Sequence, residues 1–249
     1  MGYCMKVRTS LKKIVAPILE TQGFQADFSR CGDYIFRMSD GSSWIEFDTA
    51  KHFPKKLRAF FSTSSGLYLS LEYLKPDFFP VSAMNYETQE ELEVYLIEFA
   101  KELYEIMVPY MNAMKSNYIT YSFDWNHQMS ENVEERSVRF AKKWGLTIEP
   151  LRKNLVGLDA VLDKMRAEPS QRKKMFELNK DELIDMGAYF GELLRINHNK
   201  NGQWYWRETD AHSFFVVERG YDPMQRVIHA WNCGKEAFNY GFSRYPLSG

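Results

Sequence analysis

The feature that most constrains the fold is an alternation of apolar and polar residues between Phe24 and Leu71. A period of two is typical of β-strands that bury one face. Turn sequences such as Cys31-Gly32-Asp33 and Asp40-Gly41 interrupt the alternation after only a few residues. Such short connections exclude parallel crossovers, which need roughly a dozen residues or more. The stretch therefore predicts an antiparallel meander of about five strands.

Helical patterns flank the meander on both sides. In residues 6–21 the apolar residues recur at helical spacing, and Pro17 predicts a kink or a break near Lys13. After the meander, Thr88-Gln89-Glu90-Glu91 is a capping box, which satisfies free amide groups at the start of a helix. The long amphipathic helix that follows needs an apolar surface to cover, and the meander supplies one. Residues 1–115 are therefore predicted to form an α+β domain.

The second half of the chain has a different order of elements. Residues 116–128 lack a helical period and predict a linker or strand, and residues 129–249 predict a helical domain that ends in a small β-sheet. Ser130 and Asn179 are each expected to cap a helix, and residues 172–178 indicate a weaker, separate helix. Trp204-Tyr205-Trp206 and residues 214–217 predict a β-hairpin. The predicted fold class is thus α+β.

Composition excludes several classes of protein. Aromatic residues make up 16% of the 249 residues, which excludes a disordered chain. The formal net charge is −1, whereas a general nucleic-acid binder carries a basic domain or stripe. No apolar run reaches the roughly 18 residues of a membrane span. Three cysteines without close spacing indicate a reducing cytoplasm rather than a disulfide framework. We therefore expect a cytoplasmic protein that binds neither nucleic acid nor membranes.

Motifs for catalysis or metal binding are missing from the sequence. It contains no GxSxG, no P-loop and no GxGxxG after a strand. Its five histidines are scattered, without the spacing of metal ligands. We therefore expect no catalytic residues, no metal and no cofactor, and a protein that is not an enzyme.

One helix of the second half carries the most specific local pattern. Gly187 and Gly191 lie four residues apart on one helix face, and each costs about 1 kcal/mol relative to alanine. Close approach of a neighbouring strand or helix explains them better than a ligand does, so they are predicted to be structural. The same helix and the hairpin after it are the candidate walls of a ligand or partner groove. Its candidate residues are Glu192, Arg195, Trp204, Trp206, Asp210 and His212.

Most aromatic residues fall on strand or helix faces that the periodicity assigns to a core. Their abundance therefore indicates ring-packed cores rather than one binding surface. A smaller set is not assigned in this way and clusters at the proposed domain junction and the hairpin. Any aromatic binding site is expected among Phe78, Phe79, Tyr118, Tyr121, Trp125, Trp204 and Trp206.

Four segments of the second half resemble, in order and spacing, a bacterial domain of unknown function. They read NLVGLDAVLDKMR, GAYFGELLR, GQWYW and YDPMQRVIHAWNCGKEAF. The N-terminal segment LKKIVAPILETQGF resembles bacterial domains in which a helix leads into a meander. Domains of the kind that the second half resembles are often encountered among suspected immunity proteins of polymorphic toxin systems. The resemblance implies no catalytic residues and rests on Leu158, Asp159, Gly187, Tyr189, Gly191, Glu192, Trp204, Pro223, Val227 and Gly234.

Together these patterns predict a bacterial protein that acts by binding another protein, and the resemblance implies that the partner is a toxin. The segregation of charge into an acidic helix and a basic run at residues 51–58 would suit a charged partner. The alternative is a small-ligand binder or hydrolase that uses the groove near Glu192, Trp204 and His212. The sequence leaves the oligomeric state open.

Overall fold

The structure is a computed structural model that describes residues 2–29, 33–49, 56–64, 68–70, 84–147, 151–198, 204–206, 213–215, 222–233 and 238. The chain divides into two compact units, Met1–Tyr118 and Ile119–Gly249. The division falls within the segment 116–128 that was predicted to separate two domains. Helices and an antiparallel sheet are both present, which confirms the α+β class.

The first unit has a helix, a sheet and a long helix in that order. Helix α1 spans Gly2–Ser10, a π turn spans Leu11–Val15, and α2 spans Ala16–Glu20. The strands are β1 (Phe24–Asp27), β2 (Asp33–Met38), β3 (Ser43–Thr49), β4 (Lys56–Thr63), β5 (Tyr68–Ser70) and β6 (Met84–Asn85). Helix α3 spans Gln89–Glu102, a second π turn spans Leu103–Met107, and α4 spans Val108–Met114.

The sheet is the predicted meander. Strands β1 to β5 lie side by side in chain order with antiparallel pairing, and β6, which was not predicted, pairs with β4. Phe36 lies opposite Ile45, which lies opposite Phe61, and all three are completely buried. One face of the sheet therefore carries the core of this unit.

The long helix covers that face, as predicted. The rings of Phe47 in β3 and Phe99 in α3 have centroids 5.3 Å apart in an edge-to-face contact. The capping box is also confirmed, because the amide of Glu91 donates to Thr88 Oγ1 at 3.1 Å and the amide of Thr88 donates to Glu91 Oε2 at 3.3 Å. Helix α3 thus begins where its local sequence dictates and packs where its apolar face requires.

Each π turn in this unit precedes a proline. The amide of Ala16 donates to the carbonyl of Leu11, and the amide of Val108 donates to that of Leu103, five residues back in both cases. Pro17 and Pro109 are the second residues of the helices that follow. Proline lacks an amide hydrogen and crowds the carbonyl four residues before it, so a widened turn relieves both defects. The kink or break predicted near Lys13 takes the form of a π turn in a helix that continues through Pro17, whereas the π turn before Pro109 was not predicted.

The second unit consists of helices and a hairpin. The helices are α5 (Phe123–Ser130), α6 (Val133–Trp144), α7 (Leu151–Met165), α8 (Arg172–His198) and α9 (Pro223–Asn232), with a short 3-10 turn at Pro169–Gln171. Strands β7 (Trp204–Trp206) and β8 (Ser213–Phe215) pair antiparallel, which confirms the predicted hairpin.

Three expectations for this unit are wrong. Residues 116–128 are not a linker or strand throughout, because α5 begins at Phe123, after Ser122 has capped it by accepting a hydrogen bond from the amide of Asp124 at 3.3 Å. Ser130 does not cap α6 but ends α5. Asn179 starts no new helix either, since its Nδ2 donates to the carbonyl of Met175 at 2.8 Å inside the continuous helix α8.

The C-terminal end of α9 is held by buried arginines. Arg166 Nη1 donates to the carbonyls of Ala230 and Cys233, at 2.9 Å each. Arg172, which is 5% exposed, donates from Nη1 to the carbonyl of Trp231 and, at 3.2 Å, to that of Cys233. The last carbonyls of a helix have no hydrogen-bond partner within the helix, and the helix dipole is negative at this end. A guanidinium group supplies both hydrogen-bond donors and a positive charge.

Asn232 fastens the same end of α9 to the start of the unit. Its Oδ1 accepts from the amide of Ile119 at 3.0 Å, and its Nδ2 donates to the carbonyl of Ile119 at 2.8 Å. Asn232 is 1% exposed and Ile119 is 5% exposed. Because the buried amide and carbonyl of Ile119 need hydrogen-bond partners, Asn232 stabilises the contact between the start of the unit and the end of α9.

Candidate functional site

The predicted groove begins on α8, where Gly191 lies beneath the ring of Trp204. A Cβ atom added to Gly191 would lie 2.1 Å from Trp204 Cη2 and 2.5 Å from Cζ2, and 3.1 Å from Pro223 Cγ. No other residue leaves room for the indole at this distance, which explains why the helix carries a glycine here. Gly187, one turn earlier, lies beneath the sulfur atoms of Met224 and Met129 in the same way.

Glu192 holds the same indole from the side. Trp204 donates its Nε1 hydrogen to Glu192 Oε1. Arg195, one turn further along α8, donates from Nε to both carboxylate oxygens at 3.0 Å and from Nη2 to Oε2 at 2.6 Å. Its hydrogen bonds to Glu192 raise the pKa of Arg195. The carboxylate is 13% exposed and already engaged by two donors of its own chain, so it serves mainly to fix Trp204.

The structure thus brings together three of the six predicted groove residues, namely Glu192, Arg195 and Trp204. Trp206 is the last residue of β7, opposite Ser213 of β8, and its side chain is not described. Asp210 and His212 lie outside the described residues. The described part of this region forms a clamp, in which the ion pair of Glu192 and Arg195 holds the indole ring of Trp204.

The residues that carry the family resemblance are mostly parts of the core. Tyr189 is completely buried and donates its hydroxyl hydrogen to the carbonyl of Thr147 at 2.6 Å, and burial raises its pKa. Asp159, 6% exposed, accepts from the amide of Phe238 at 2.8 Å. Leu158 and Val227 are completely buried, while Gly234 lies outside the described residues. The described positions therefore have structural roles within the second unit.

The aromatic residues near the start of the second unit form a continuous series of ring contacts. Tyr121 meets Phe123 at 5.4 Å and Trp125 at 6.4 Å, Trp125 meets Phe176 at 5.0 Å, and Phe176 meets Trp231 at 5.9 Å. Phe123 is 46% exposed, but Phe176 and Trp231 are buried. The series therefore fills a core and reaches the surface at one end. Of the other rings predicted to be available for binding, Phe78 and Phe79 lie outside the described residues.

Tyr121 also belongs to a polar cluster. Its hydroxyl donates to Asp222 Oδ2, and Asn126 Nδ2 donates to the same carboxylate oxygen at 3.0 Å. Burial, together with the hydrogen bond to Asp222, raises the pKa of Tyr121. Asp222 in addition caps α9, because its Oδ1 accepts from the amide of Gln225 at 2.9 Å. The cluster therefore joins the entry into α5 to the start of α9.

Two titratable groups lie near the end of α9. His229 Nε2 is 3.3 Å from Cys233 Sγ. Burial, with a smaller contribution from the charge of Arg226, lowers the pKa of His229 from 6.5 to about 4. Burial raises the pKa of Cys233 to about 12, and that residue is completely buried. Both groups are neutral at pH 7, and the thiol has neither the ionisation nor the access that a nucleophile needs.

Among the described residues of the first unit, the most exposed large apolar side chains lie on the outer side of α3 and of the π turn that follows it. Val94 is 58% exposed, Ile97 is 60% exposed and Tyr104 is 51% exposed. Residues 90, 94, 97, 101 and 104 follow one another at intervals of three or four, so they lie in one stripe along the helix. Glu91, Glu98 and Glu105, seven residues apart, form a parallel row beside it. We call the surface formed by Glu90, Glu91, Val94, Ile97, Glu98, Lys101, Tyr104 and Glu105 the α3 face.

The α3 face is held rigidly. On the inner side of the helix, Leu92, Leu96 and Phe99 are buried against the sheet. At its start, Gln89 Nε2 donates to Ser10 Oγ at 2.6 Å, and so ties α3 to α1. A rigid, exposed apolar row bordered by charges is a surface that can bind without first becoming ordered. Its signal was present in the sequence as apolar residues on the glutamate-rich side of the helix.

Comparisons with protein-family models, with curated proteins and with solved structures find no match to this chain. Among the described residues, no group of three or more histidine, cysteine or acidic side chains could hold a metal ion. Within the same residues, no helix has the length and apolar character needed to cross a membrane.

Proposed function

We propose that this protein acts by binding another protein through the α3 face, without catalysis, and that the partner is a toxin that it neutralises. The observation that carries the proposal is the row of Val94, Ile97 and Tyr104, each more than half exposed on one side of α3 and the π turn that continues it. The resemblance of the second half to domains among suspected immunity proteins supports the choice of a toxin.

An exposed row of this kind differs from the ordinary surface of a protein. Single exposed apolar residues are common and need no explanation. Adjacent ones with a polar border are typical of interaction sites, because they are covered only when a partner arrives. Tyrosine is also enriched among the residues that dominate binding energy at interfaces, so Tyr104 is the expected anchor.

The charges of the α3 face specify the chemistry of the partner. Four glutamates and one lysine border or interrupt the row, which leaves the surface acidic. A matching surface would place apolar side chains between lysines or arginines. Charge complementarity of this kind accelerates association and disfavours acidic competitors, and salt weakens it.

The alternative is a small-ligand binder or hydrolase at Glu192, Trp204 and His212. It has less support, because Glu192 is occupied by Arg195 and Trp204. A hydrolase would need a base or nucleophile that is free to meet a substrate. The clamp leaves Glu192 in a positioning role.

Protein binding is tested by placing a photocrosslinking amino acid at Ile97 in the full chain, in cells of the native host. We expect a single adduct of defined mass from this position. The matched control is the same amino acid at Val156, which is 50% exposed on α7 and should give no such adduct. Equal labelling patterns from both positions would contradict binding through the α3 face.

The identity of the partner is tested separately by growth rescue. Cells that produce a toxin encoded next to this gene should grow when the wild-type protein or the Val156→Lys variant is present, and should not grow with Ile97→Lys. Association of the purified proteins should weaken in the same order and with added salt. Crosslinking at Ile97 without rescue from any neighbouring toxin would retain protein binding and reject the toxin.

A further inference from the structure

The outer side of α6, in the second unit, carries a second surface with a different charge pattern. Helix α6 buries Ser137 and Phe140 on its inner side. On its outer side, Glu134, Val138 and Lys142 follow at intervals of four residues and form one exposed stripe. Val138 is 61% exposed at the centre of that stripe.

Charge is divided along the length of this stripe. The acidic residues Glu131, Glu134 and Glu135 precede Val138, and the basic residues Arg139, Lys142 and Lys143 follow it. The helix dipole favours this order of signs at the two ends. Glu134 and Lys142 lie equally far from Val138, about 6 Å along the axis on either side.

A shallow, open depression with a volume of about 1070 Å³ lies along this surface. The described residues that line it all come from α6 and the turn before it, so they form only one wall. The lining residues are Glu131, Asn132, Val133, Glu134, Glu135, Val138, Arg139, Lys142 and Lys143.

Two of the three basic residues already have acidic partners within the chain. Arg139 donates to Asp185 at 2.6 and 2.7 Å, and Lys143 donates to Glu182 at 2.7 Å. These bonds hold Arg139 and Lys143 against α8. Lys142 is therefore the cation assigned to a partner.

We infer that this stripe pairs with the same stripe of a second copy of the chain, in antiparallel orientation. A twofold axis through Val138 brings the two valines together and places Glu134 of each copy opposite Lys142 of the other. A parallel arrangement would place glutamate against glutamate and lysine against lysine, so charge selects the antiparallel one.

The expected dimer is weak. The 12 residues of α6 span about 18 Å, and one helix face of this length covers less than the roughly 800 Å² per partner of a standard interface. Exposed ion pairs add little and are screened by salt. Association in the micromolar range or weaker, lost at high salt, is therefore the expected behaviour.

The test is sedimentation equilibrium of the full chain over a concentration series at low and high salt. Glu134→Lys or Lys142→Glu alone should weaken the dimer about tenfold or more, because each turns two attractive pairs into repulsive ones. The double variant should restore it, since the exchanged charges pair again. Val138→Lys should abolish the dimer, whereas the matched control Val156→Lys should leave it unchanged.

A monomer at every concentration and salt would overturn the inference. A dimer that survives the single charge reversals, or that the double variant fails to restore, would also overturn it, because the interface would then lie elsewhere. Circular dichroism shows whether each variant keeps its helices. Ile97→Lys is expected to leave the dimer intact, so the failure of this inference and that of binding through the α3 face are distinguishable.

Discussion

Replacing Gly191 with alanine tests how closely Trp204 is packed against α8. In the interior of an ordinary helix this substitution stabilises a protein by about 0.5–1 kcal/mol, because alanine has the higher helix propensity. At Gly191 the new Cβ would lie 2.1 Å from one carbon of the indole and 2.5 Å from another. A normal carbon contact is about 3.5–4.0 Å, so the ring would have to move by more than an ångström.

The ring cannot move without loss. Pro223 packs against Gly191 beside the ring, and the indole nitrogen donates a hydrogen bond to Glu192. Overpacking of this kind costs about 1–3 kcal/mol, and a displaced hydrogen bond to a charged group adds about 1.5–3 kcal/mol. After subtraction of the helix-propensity gain, Gly191→Ala should lower the free energy of unfolding by roughly 1.5–5.5 kcal/mol.

Gly157→Ala is the matched control. A Cβ atom at Gly157 would lie 2.7 Å from Cδ2 of Leu146, the end of a flexible side chain that can turn away. This variant should therefore have wild-type stability or gain up to about 1 kcal/mol. Urea unfolding monitored by fluorescence and by circular dichroism measures both variants. If Gly191→Ala proves as stable as Gly157→Ala, the close packing of Trp204 is refuted.

Three further predictions concern α9 and its surroundings. Because His229 has a pKa of about 4 in the folded chain and 6.5 when unfolded, the unfolded state takes up a proton first as the pH falls. Stability should be full above pH 6.5 and fall by up to about 3 kcal/mol towards pH 4, and urea titrations of His229→Gln should lack most of this slope. With the other two cysteines replaced by serine, Cys233 should react with a thiol reagent only in urea, and rapid labelling of the native protein would contradict its burial. Arg172→Met should cost roughly 2–4 kcal/mol in urea unfolding, because helix carbonyls lose a buried donor, whereas Lys173→Met at the exposed next residue should cost nearly nothing.

Features that depend on neighbouring residues could be predicted from the sequence. The capping box at Thr88 and Glu91 is local, and it begins α3 where expected. The effect of Pro17 is local too, because the proline disturbs the turn directly before it, and a π turn lies there. Gly145 ends α6 in a left-handed conformation with φ of 64°, as a glycine after a helix predicts.

Helix α5 could not be predicted in this way, because distant residues stabilise it. Its buried face includes Asn126, which no apolar pattern would place inside. The side chain of Asn126 donates to Asp222, a residue 96 positions further along the chain. A polar residue that becomes a core residue through a distant partner gives no local signal.

The candidate sites also differ in whether local sequence or distant contacts determine them. Glu192 and Arg195 are one helical turn apart, so their proximity follows from the sequence alone. The position of Trp204 on Gly191 depends on tertiary packing, although the glycine gave a hint of it. The α3 face was readable from helical spacing, since Val94, Ile97 and Tyr104 lie opposite the core residues. The core-facing residues alone are enough to predict this helix, so the prediction does not draw on its outer apolar row.

The contacts of Asn232 with Ile119 have a consequence for the order of events during synthesis. The first unit contains all of its sheet and helix partners within the first 118 residues, so it can fold while the ribosome is still translating the rest. The second unit joins residue 119 to residue 232, and Arg172 to a carbonyl 59 positions later. It can complete its fold only after α9 has left the ribosome. Until then, Arg166 and Arg172 lack the carbonyl groups at the end of α9 to which they donate. Contacts over such distances form slowly, so ribosome-bound chains that stop before residue 222 should expose a folded first unit and a protease-sensitive second one.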